Sequence, residues 1–222
     1  MPLVRWTVLC AAAELAGIAV AALWFGIVAL SFGDPETFSG KLGVWLLSAA
    51  SGLPEGFVLA SLQSRGIRRF FGITHDRATL ISRTALAAVI GWAAGAFIPI
   101  FIPFGPPDPV IANADPPPLA TIVFAGGFGV VAGALFGWLQ SSAFAGKALR
   151  REWLIVNTLG WMFGLPAIYV FAGIANDFEG WLARIALWAA GGVLAGASIG
   201  LATGIPLLRT VRRHGTIGLP VL

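Results

Sequence analysis

The chain has 222 residues, of which 58% are hydrophobic and only 11% are charged, and its formal net charge is +4. Soluble domains carry about 25% charged residues, so this composition excludes an ordinary soluble domain. The basic residues are clustered and leave long uncharged runs between them. Membrane topology explains such clusters, so we predict a lipid bilayer and no nucleic acid as the partner.

Six apolar runs are long enough to cross a bilayer, because about 20 residues span its core of roughly 30 Å. We number them spans 1 to 6, at about 6–31, 42–63, 80–102, 119–145, 153–175 and 181–205. Span 1 is longer than the apolar region of a signal peptide and contains Glu14, which predicts a retained helix. The whole chain, 1–222, is predicted to form one all-α transmembrane domain.

The basic residues predict the orientation of the chain. Twelve of the fourteen lie before span 1, around the 2–3 connection, in the 4–5 connection or after span 6, and only Lys41 and Arg184 lie on the opposite side. Because excess Lys and Arg stay cytoplasmic, both termini are predicted to be cytoplasmic, in a cell inner membrane. Trp6 and Trp153 are predicted to lie in the inner interfacial belt.

Spans 2, 4 and 6 share a pattern of glycines, seen in the segments GLPEGFVLASLQ, GVVAGALFGWLQ and GVLAGASIGLAT. Glycines four residues apart share one helix face and allow two helix backbones to pack closely. A glycine-zipper packing role is therefore expected for Gly52, Gly56, Gly129, Gly133, Gly137, Gly192, Gly196 and Gly200. The pattern also predicts three parallel helical-hairpin repeats, at about 5–65, 80–145 and 151–208, in a pseudo-threefold arrangement.

The sequence from span 4 into span 5 carries a resemblance to other proteins. Gly133-x3-Gly137-x2-Gln140, then Trp153, then Gly160-Trp161-x2-Gly164, resembles a tandem module of uncharacterised bacterial polytopic membrane proteins. The first repeat departs from this module, since Thr84 stands where the first tryptophan would be. The resemblance implies the repeated architecture and no established activity.

Two carboxylates lie within the spans, Glu14 and Glu55. By helical rise, both lie roughly 13–15 Å from the cytoplasmic boundary. A carboxylate facing lipid at this depth is costly, so both are predicted to point inward, where they should not both ionise. With Ser51 they form a candidate site for a proton, a cation or a small solute. The alternative is a protonated acid that is hydrogen-bonded to a neighbouring helix.

Three amides, Gln63, Gln140 and Asn157, are predicted near the cytoplasmic ends of their spans, where they either form a polar mouth or hydrogen-bond between helices. The Arg-rich segment 65–77 is predicted to form a short interfacial helix on anionic lipid. The proline-rich outer loop, 103–118, is predicted to be stiff and extended. The single cysteine, Cys10, excludes an intrachain disulfide and a cysteine-based metal site, and no cofactor or metal is expected.

Three functions are compatible with these features. The one we favour is a non-catalytic structural or accessory subunit of a membrane complex, with a membrane protein or a second copy of the chain as its partner. A proton or cation pathway through Glu14 and Glu55 is the alternative. An intramembrane enzyme ranks third, because the sequence contains neither an HExxH helix nor a Walker A loop.

Overall fold

The computed structural model describes residues 1–33, 35–102, 118–176 and 178–215, and all regular structure in those ranges is helical. Six helices are long and apolar enough to cross a membrane, which confirms the predicted number. The proline-rich outer loop falls almost entirely outside the described residues. The spans are Pro2–Phe32, Phe38–Ala50 with Gly52–Gly66, Arg77–Phe101, Pro118–Ser141, Lys147–Asn176 and Trp181–Gly215.

Span 2 is interrupted at Ser51, one turn before the ring of Pro54. Proline has no N–H to continue the backbone ladder, and the Ser51 hydroxyl donates to the carbonyl of Ser48 at 2.7 Å. After Gly66 the helix continues as a π-helical turn, Ile67–Phe71. Gly72 then ends it with a φ of 64°, a left-handed conformation that glycine adopts without strain.

This π-helical turn corrects the predicted interfacial helix at 65–77. The segment extends span 2 instead of forming a separate helix, and its apolar side chains point into the protein. Ile67 and Phe71 are buried in a cluster at the end of the bundle where span 1 begins and span 6 ends, which we call the inner end. Only the arginines of this segment, together with Phe70, Ile73 and the polar loop residues, remain at its surface or partly buried.

The six spans pack as a closed ring, in which each span contacts the ones before and after it and span 6 returns to span 1. At the inner end, the π-helical turn also reaches spans 1 and 6. Its Phe71 ring meets the Trp6 ring edge-on, with the two centroids 5.8 Å apart. The inner end is therefore filled by aromatic and aliphatic side chains.

Trp6 and Trp153 belong to this inner cluster and are almost fully buried. Their predicted place in an interfacial belt is therefore wrong. Each indole N–H donates inside the protein, from Trp6 to the Thr203 hydroxyl at 3.0 Å and from Trp153 to the Gln140 side-chain oxygen at 3.1 Å. An indole that finds a partner inside the bundle has no need of the wet interface.

At three contacts of the ring, a methyl group added to a glycine would lie less than 3.0 Å from a backbone atom of the neighbouring span. We call these contacts the glycine seams: span 2 against 3, span 4 against 5, and span 6 against 1. A methyl group added at Gly133 would lie 2.6 Å from the Asn157 carbonyl oxygen, and one at Gly196 would lie 2.6 Å from the Ala11 Cα atom. Gly52, Gly56, Gly129, Gly137 and Gly200 likewise leave no room for a methyl group against a backbone. Gly192 differs, because its near neighbour is the Ile18 side chain.

Candidate functional site

The structure places Glu14 and Glu55 inside the bundle, with 2% and 7% of their surface exposed. Span 1 brings Glu14 beside Gly196 of span 6, and one turn later Gly17 faces the Cγ atom of Glu55. Because Gly17 lies three residues after Glu14 on one helix face, the two acids lie on facing sides of spans 1 and 2. We call Glu14 and Glu55 the carboxylate pair.

Glu55 has a partner that the sequence did not single out. The indole N–H of Trp92, in span 3, donates a hydrogen bond to the Glu55 Oε2 atom. The Trp92 ring in turn packs on Phe25 of span 1, with the centroids 4.7 Å apart. Three spans therefore hold the Glu55 carboxyl in place, and its buried oxygen is satisfied by a donor.

The Glu14 side chain is almost fully buried where span 1 meets span 6. Its close neighbours are the glycine seam of span 6 and the side chain of Cys10. A buried carboxylate without a donor or a counter-charge is expensive. Chemically, the pair can hold one or two protons, or a small cation between the two carboxyls.

Ser51 is fully buried one turn before Glu55, but its hydroxyl donates to the carbonyl of Ser48. Its role there is to satisfy the backbone at the helix break. Its oxygen keeps lone pairs that a bound cation would use. The structure thus brings Glu14 and Glu55 together and places Ser51 at the edge of the pair.

The three amides are buried but do not form one ring. Gln140 donates to the Thr84 hydroxyl at 3.0 Å and accepts from Trp153, which joins spans 3, 4 and 5. Asn157 donates to the Trp153 carbonyl of its own helix at 3.0 Å. The Gln63 side-chain oxygen has no partner in the described structure. Gln140 and Asn157 therefore act in helix packing.

One further sequence motif was missed. Gly196-Ala197-Ser198-Ile199-Gly200 has the G-x-S-x-G form that carries the nucleophile of many hydrolases. That chemistry needs a sharp strand-to-helix turn to expose the serine, whereas these residues lie within the continuous helix of span 6. The Ser198 hydroxyl donates to the Gly160 carbonyl at 3.0 Å. This serine joins spans 5 and 6 and is not presented as a nucleophile.

The two inner connections are joined around His75 and Asp76. The Asp76 N–H donates to the Ala143 carbonyl at 2.9 Å, and the Asp76 carboxylate accepts from the N–H and the hydroxyl of Thr79, at the start of span 3. Nε2 of His75 lies 2.9 Å from the Ser64 hydroxyl. We call this contact between the 2–3 and 4–5 connections the inner latch.

The inner latch is predicted to weaken in mild acid. Burial lowers the pKa of His75 and is the largest effect. The hydrogen bond with the Ile73 carbonyl raises it, the Arg68 charge lowers it, and the Asp76 charge raises it by a smaller amount. A histidine that is harder to protonate when folded removes stability as the pH falls from its ordinary pKa of about 6.5. The melting temperature should therefore fall more between pH 7 and pH 5 in the wild type than in His75→Gln. Equal falls would contradict this role.

Asp76 is expected to lose its stabilising effect in a different pH window. The hydrogen bonds from Thr79 lower the pKa of its carboxyl below the ordinary value near 3.8. Its contribution is thus present above that value and is lost only in stronger acid. Between pH 7 and pH 5, a change in stability at the inner latch is therefore expected from His75 and not from Asp76.

The class that these features define is a polytopic α-helical protein with six helices able to cross a membrane and a buried pair of acids within the bundle. No protein-family model, no curated protein and no solved structure matches the chain. The described residues contain no group of three or more His, Cys, Asp and Glu side chains that could hold a metal ion.

Proposed function

We propose that this protein is a non-catalytic structural or accessory subunit of a membrane complex. The observation that carries the proposal is the set of three glycine seams, which hold helix backbones in direct contact around the ring. Backbones packed this closely cannot slide or rotate past each other without a clash. A bundle of this kind is suited to a fixed shape and not to large alternating movements.

The polar interior supports the same role. Buried polar groups form hydrogen bonds with one another: Trp6 donates to Thr203, Trp153 donates to Gln140, and Gln140 donates to Thr84. One cavity lies between Ser64 and Arg77 in the 2–3 connection, and a second lies at the inner latch, between residues 74–76 and 142–150. Neither cavity is lined by Glu14 or Glu55. Outside, large apolar side chains are exposed on every span, such as Leu23, Phe57, Ile90, Val131, Phe163 and Leu201. This surface fits lipid and a membrane-embedded partner.

We also infer that the ring derives from three repeats. Gly133 packs against Asn157, Thr158 and Trp161, and Gly196 packs with the same spacing against Cys10, Ala11 and Glu14. The hydrogen bonds from Trp153 to Gln140 and from Trp6 to Thr203 join residues at corresponding positions of the two seams, so the correspondence continues beyond the glycines. Equal spacing in two seams supports repetition in the same direction.

The seam between spans 2 and 3 fits the same scheme if span 3 is shifted by one helical turn from the alignment that places Thr84 at the position of Trp153. Gly52 would then correspond to Gly129, because it meets Ala88 and Val89 as Gly129 meets Trp161 and Met162. In this register Leu80, and not Thr84, stands where Trp6 and Trp153 stand, and all three belong to the inner cluster. Gln63 then lacks the tryptophan donor of the other repeats, which accounts for its unpartnered oxygen.

The topology that we propose has both termini in the cytoplasm. A Cys10→Ser background provides a cysteine-free chain. A cysteine placed at Asn113, which lies outside the described residues, should react with an impermeant maleimide added to intact cells. A cysteine placed at Lys147 should react only after the membrane is permeabilised. The opposite pattern would reverse the topology.

The subunit role is tested by the mass of the intact particle. The chain, purified from its own membrane in a mild detergent, should be recorded by native mass spectrometry at a discrete mass above 23.1 kDa. A fixed added mass of protein would identify a hetero-complex, and a whole multiple of the chain would identify a homo-oligomer. A particle with one chain and lipid only would contradict the proposal.

A second candidate function is a proton or cation pathway through the carboxylate pair. The observation that favours it is the burial of both acids, Glu14 and Glu55, inside the bundle. Buried ionisable groups in membrane helices commonly mark proton and ion routes. Glu14 and Glu55 would then exchange a proton or coordinate the ion, and Trp92 would orient Glu55.

A further inference from the structure

Four exposed arginines line one cavity at the connection between spans 2 and 3. The cavity has a volume of about 450 Å³ and is lined by Arg65, Arg68, Arg69, Arg77 and the backbone or side chain of Ser64. This volume is within the range of small-molecule sites, roughly 300–1,000 Å³. We call it the arginine cavity.

The local fold brings these side chains together. Arg65 lies in the last turn of the helix and Arg68 and Arg69 lie in the π-helical turn that follows, and all three line the cavity. Gly72 reverses the chain, and Arg77 then begins span 3 beside them. Like charges gathered around one cavity repel each other, so the arrangement favours a bound anion.

No carboxylate forms an ion pair with these arginines in the described structure. The ion pairs there join Glu152 to Arg209 and Arg213, none of which lines the arginine cavity. Asp76 is next to Arg77 in sequence, but its two oxygens accept from Thr79 at the start of span 3. The guanidinium groups of the cavity are therefore available to a ligand.

We propose that the arginine cavity binds a phosphate group that carries at least one negative charge. A guanidinium presents a planar fork of donors that matches two oxygens of a phosphate, and such charge-assisted bonds are the strong ones. Four guanidinium groups that line one cavity can donate to several oxygens of the same phosphate. The site is distinct from the carboxylate pair and independent of the subunit role proposed above.

Two sources supply this chemistry, a phospholipid headgroup and a soluble phosphate. The position of the cavity favours the lipid. Spans 2 and 3, which carry the arginines, also expose Phe57, Leu86 and Ile90 on their surfaces. Acyl chains would lie against these side chains while the headgroup occupies the cavity. A soluble phosphate would use the arginines alone.

Binding is tested on the purified full-length chain in a neutral, phosphate-free detergent buffer. The probes are short-chain phosphatidylglycerol, phosphatidylcholine of the same chain length, and inorganic pyrophosphate, each titrated against the melting temperature and bound mass. Phosphatidylglycerol should bind the wild type more tightly than phosphatidylcholine. Arg68→Gln with Arg77→Gln should weaken that binding at least about tenfold, as expected for lost charge-assisted bonds.

A matched control removes two charges from the other inner connection. Lys147→Gln with Arg151→Gln should change the affinity less than about twofold, because isolated exposed charges contribute little. Equal losses in the two double variants would show a general effect of charge and overturn the proposal. Absence of binding by both phosphatidylglycerol and pyrophosphate would also overturn it.

The source follows from the pyrophosphate arm. Pyrophosphate binding that is lost in the Arg68 and Arg77 variant would keep the phosphate site and assign it to a soluble ligand. Binding of phosphatidylglycerol alone would assign it to lipid. Arg68→Lys with Arg77→Lys keeps the charge and serves if the glutamine variant fails to fold. Unchanged affinity in this lysine variant would contradict recognition by the guanidinium fork.

Discussion

Leucine at Gly133 is expected to destabilise the bundle by about 1–3 kcal/mol, the usual cost of overpacking a tight interface. Even a methyl group there would lie 2.6 Å from the Asn157 carbonyl oxygen and 2.7 Å from the Thr158 Cα atom. Both are backbone atoms that cannot move away as a side chain would. Spans 4 and 5 would have to separate, which removes contacts along the whole seam. The melting temperature in detergent should fall clearly.

Gly127 provides the control in the same helix. It is exposed, and a methyl group there would have no neighbour within 4 Å. Gly127→Leu should leave the melting temperature nearly unchanged. Alanine sharpens the comparison, because Gly127→Ala should stabilise the helix by up to about 1 kcal/mol while Gly133→Ala destabilises it. Equal responses at the two positions would refute the seam.

Phenylalanine at Trp92 is expected to cost about 1–3 kcal/mol, because it removes the donor to Glu55 and leaves a buried carboxyl oxygen unsatisfied. The smaller ring of phenylalanine still reaches Phe25, so the measured cost contains the lost N–H donor and some lost packing. The measurement is the free energy of unfolding in mixed micelles. Trp92→Tyr is unsuitable, because its hydroxyl would supply another donor.

A double-mutant cycle separates the hydrogen bond from the packing of the ring. In a Glu55→Leu background there is no carboxyl to satisfy, so Trp92→Phe should cost far less than it does in the wild type. The coupling energy should reach at least about 1 kcal/mol, within the range for contacting residues. A coupling energy near zero would mean that the indole N–H does not support Glu55.

Much of the fold could be predicted from the sequence, because membrane spans depend on composition. A run of apolar residues such as the one from Trp6 to Phe32 has few alternatives to a helix in a bilayer. Close packing at Gly133 and Gly196 was also predicted from spacing, and a methyl group added at either position would lie 2.6 Å from a backbone atom of a neighbouring span. Glycine stripes carry this information because their face is fixed by helical periodicity.

The partners of polar groups could not be predicted in this way. Nothing in the spacing of the sequence indicated that Trp92, in span 3, is the donor to Glu55. Trp6 and Trp153 were assigned to the interface from their depth alone, but their N–H groups are satisfied inside the bundle. The depth of a side chain in the membrane follows from counting residues along its helix. The direction in which its polar group points depends on which neighbouring span offers a hydrogen-bonding partner.

The inner connections show a similar limit. The Arg-rich segment was predicted to lie on lipid as a separate helix, because Phe70, Phe71 and Ile73 alternate with its charges. The π-helical turn changes which residues share a face, and this change directs Phe71 onto Trp6. An apolar residue near a membrane boundary can face the lipid or the interior of the bundle. The positions of the neighbouring spans determine which of the two it faces.

The measurement that tests the subunit role most directly is proton flux in sealed liposomes. The purified chain would be reconstituted with a pH-sensitive dye inside the vesicles, beside vesicles with the Glu14→Gln, Glu55→Gln variant and vesicles without protein. A structural subunit predicts that all three collapse an imposed pH gradient at the same rate. Faster collapse with the wild type alone, at equal protein content and equal helix content of the variant, would contradict the account and establish the carboxylate pair as a proton pathway.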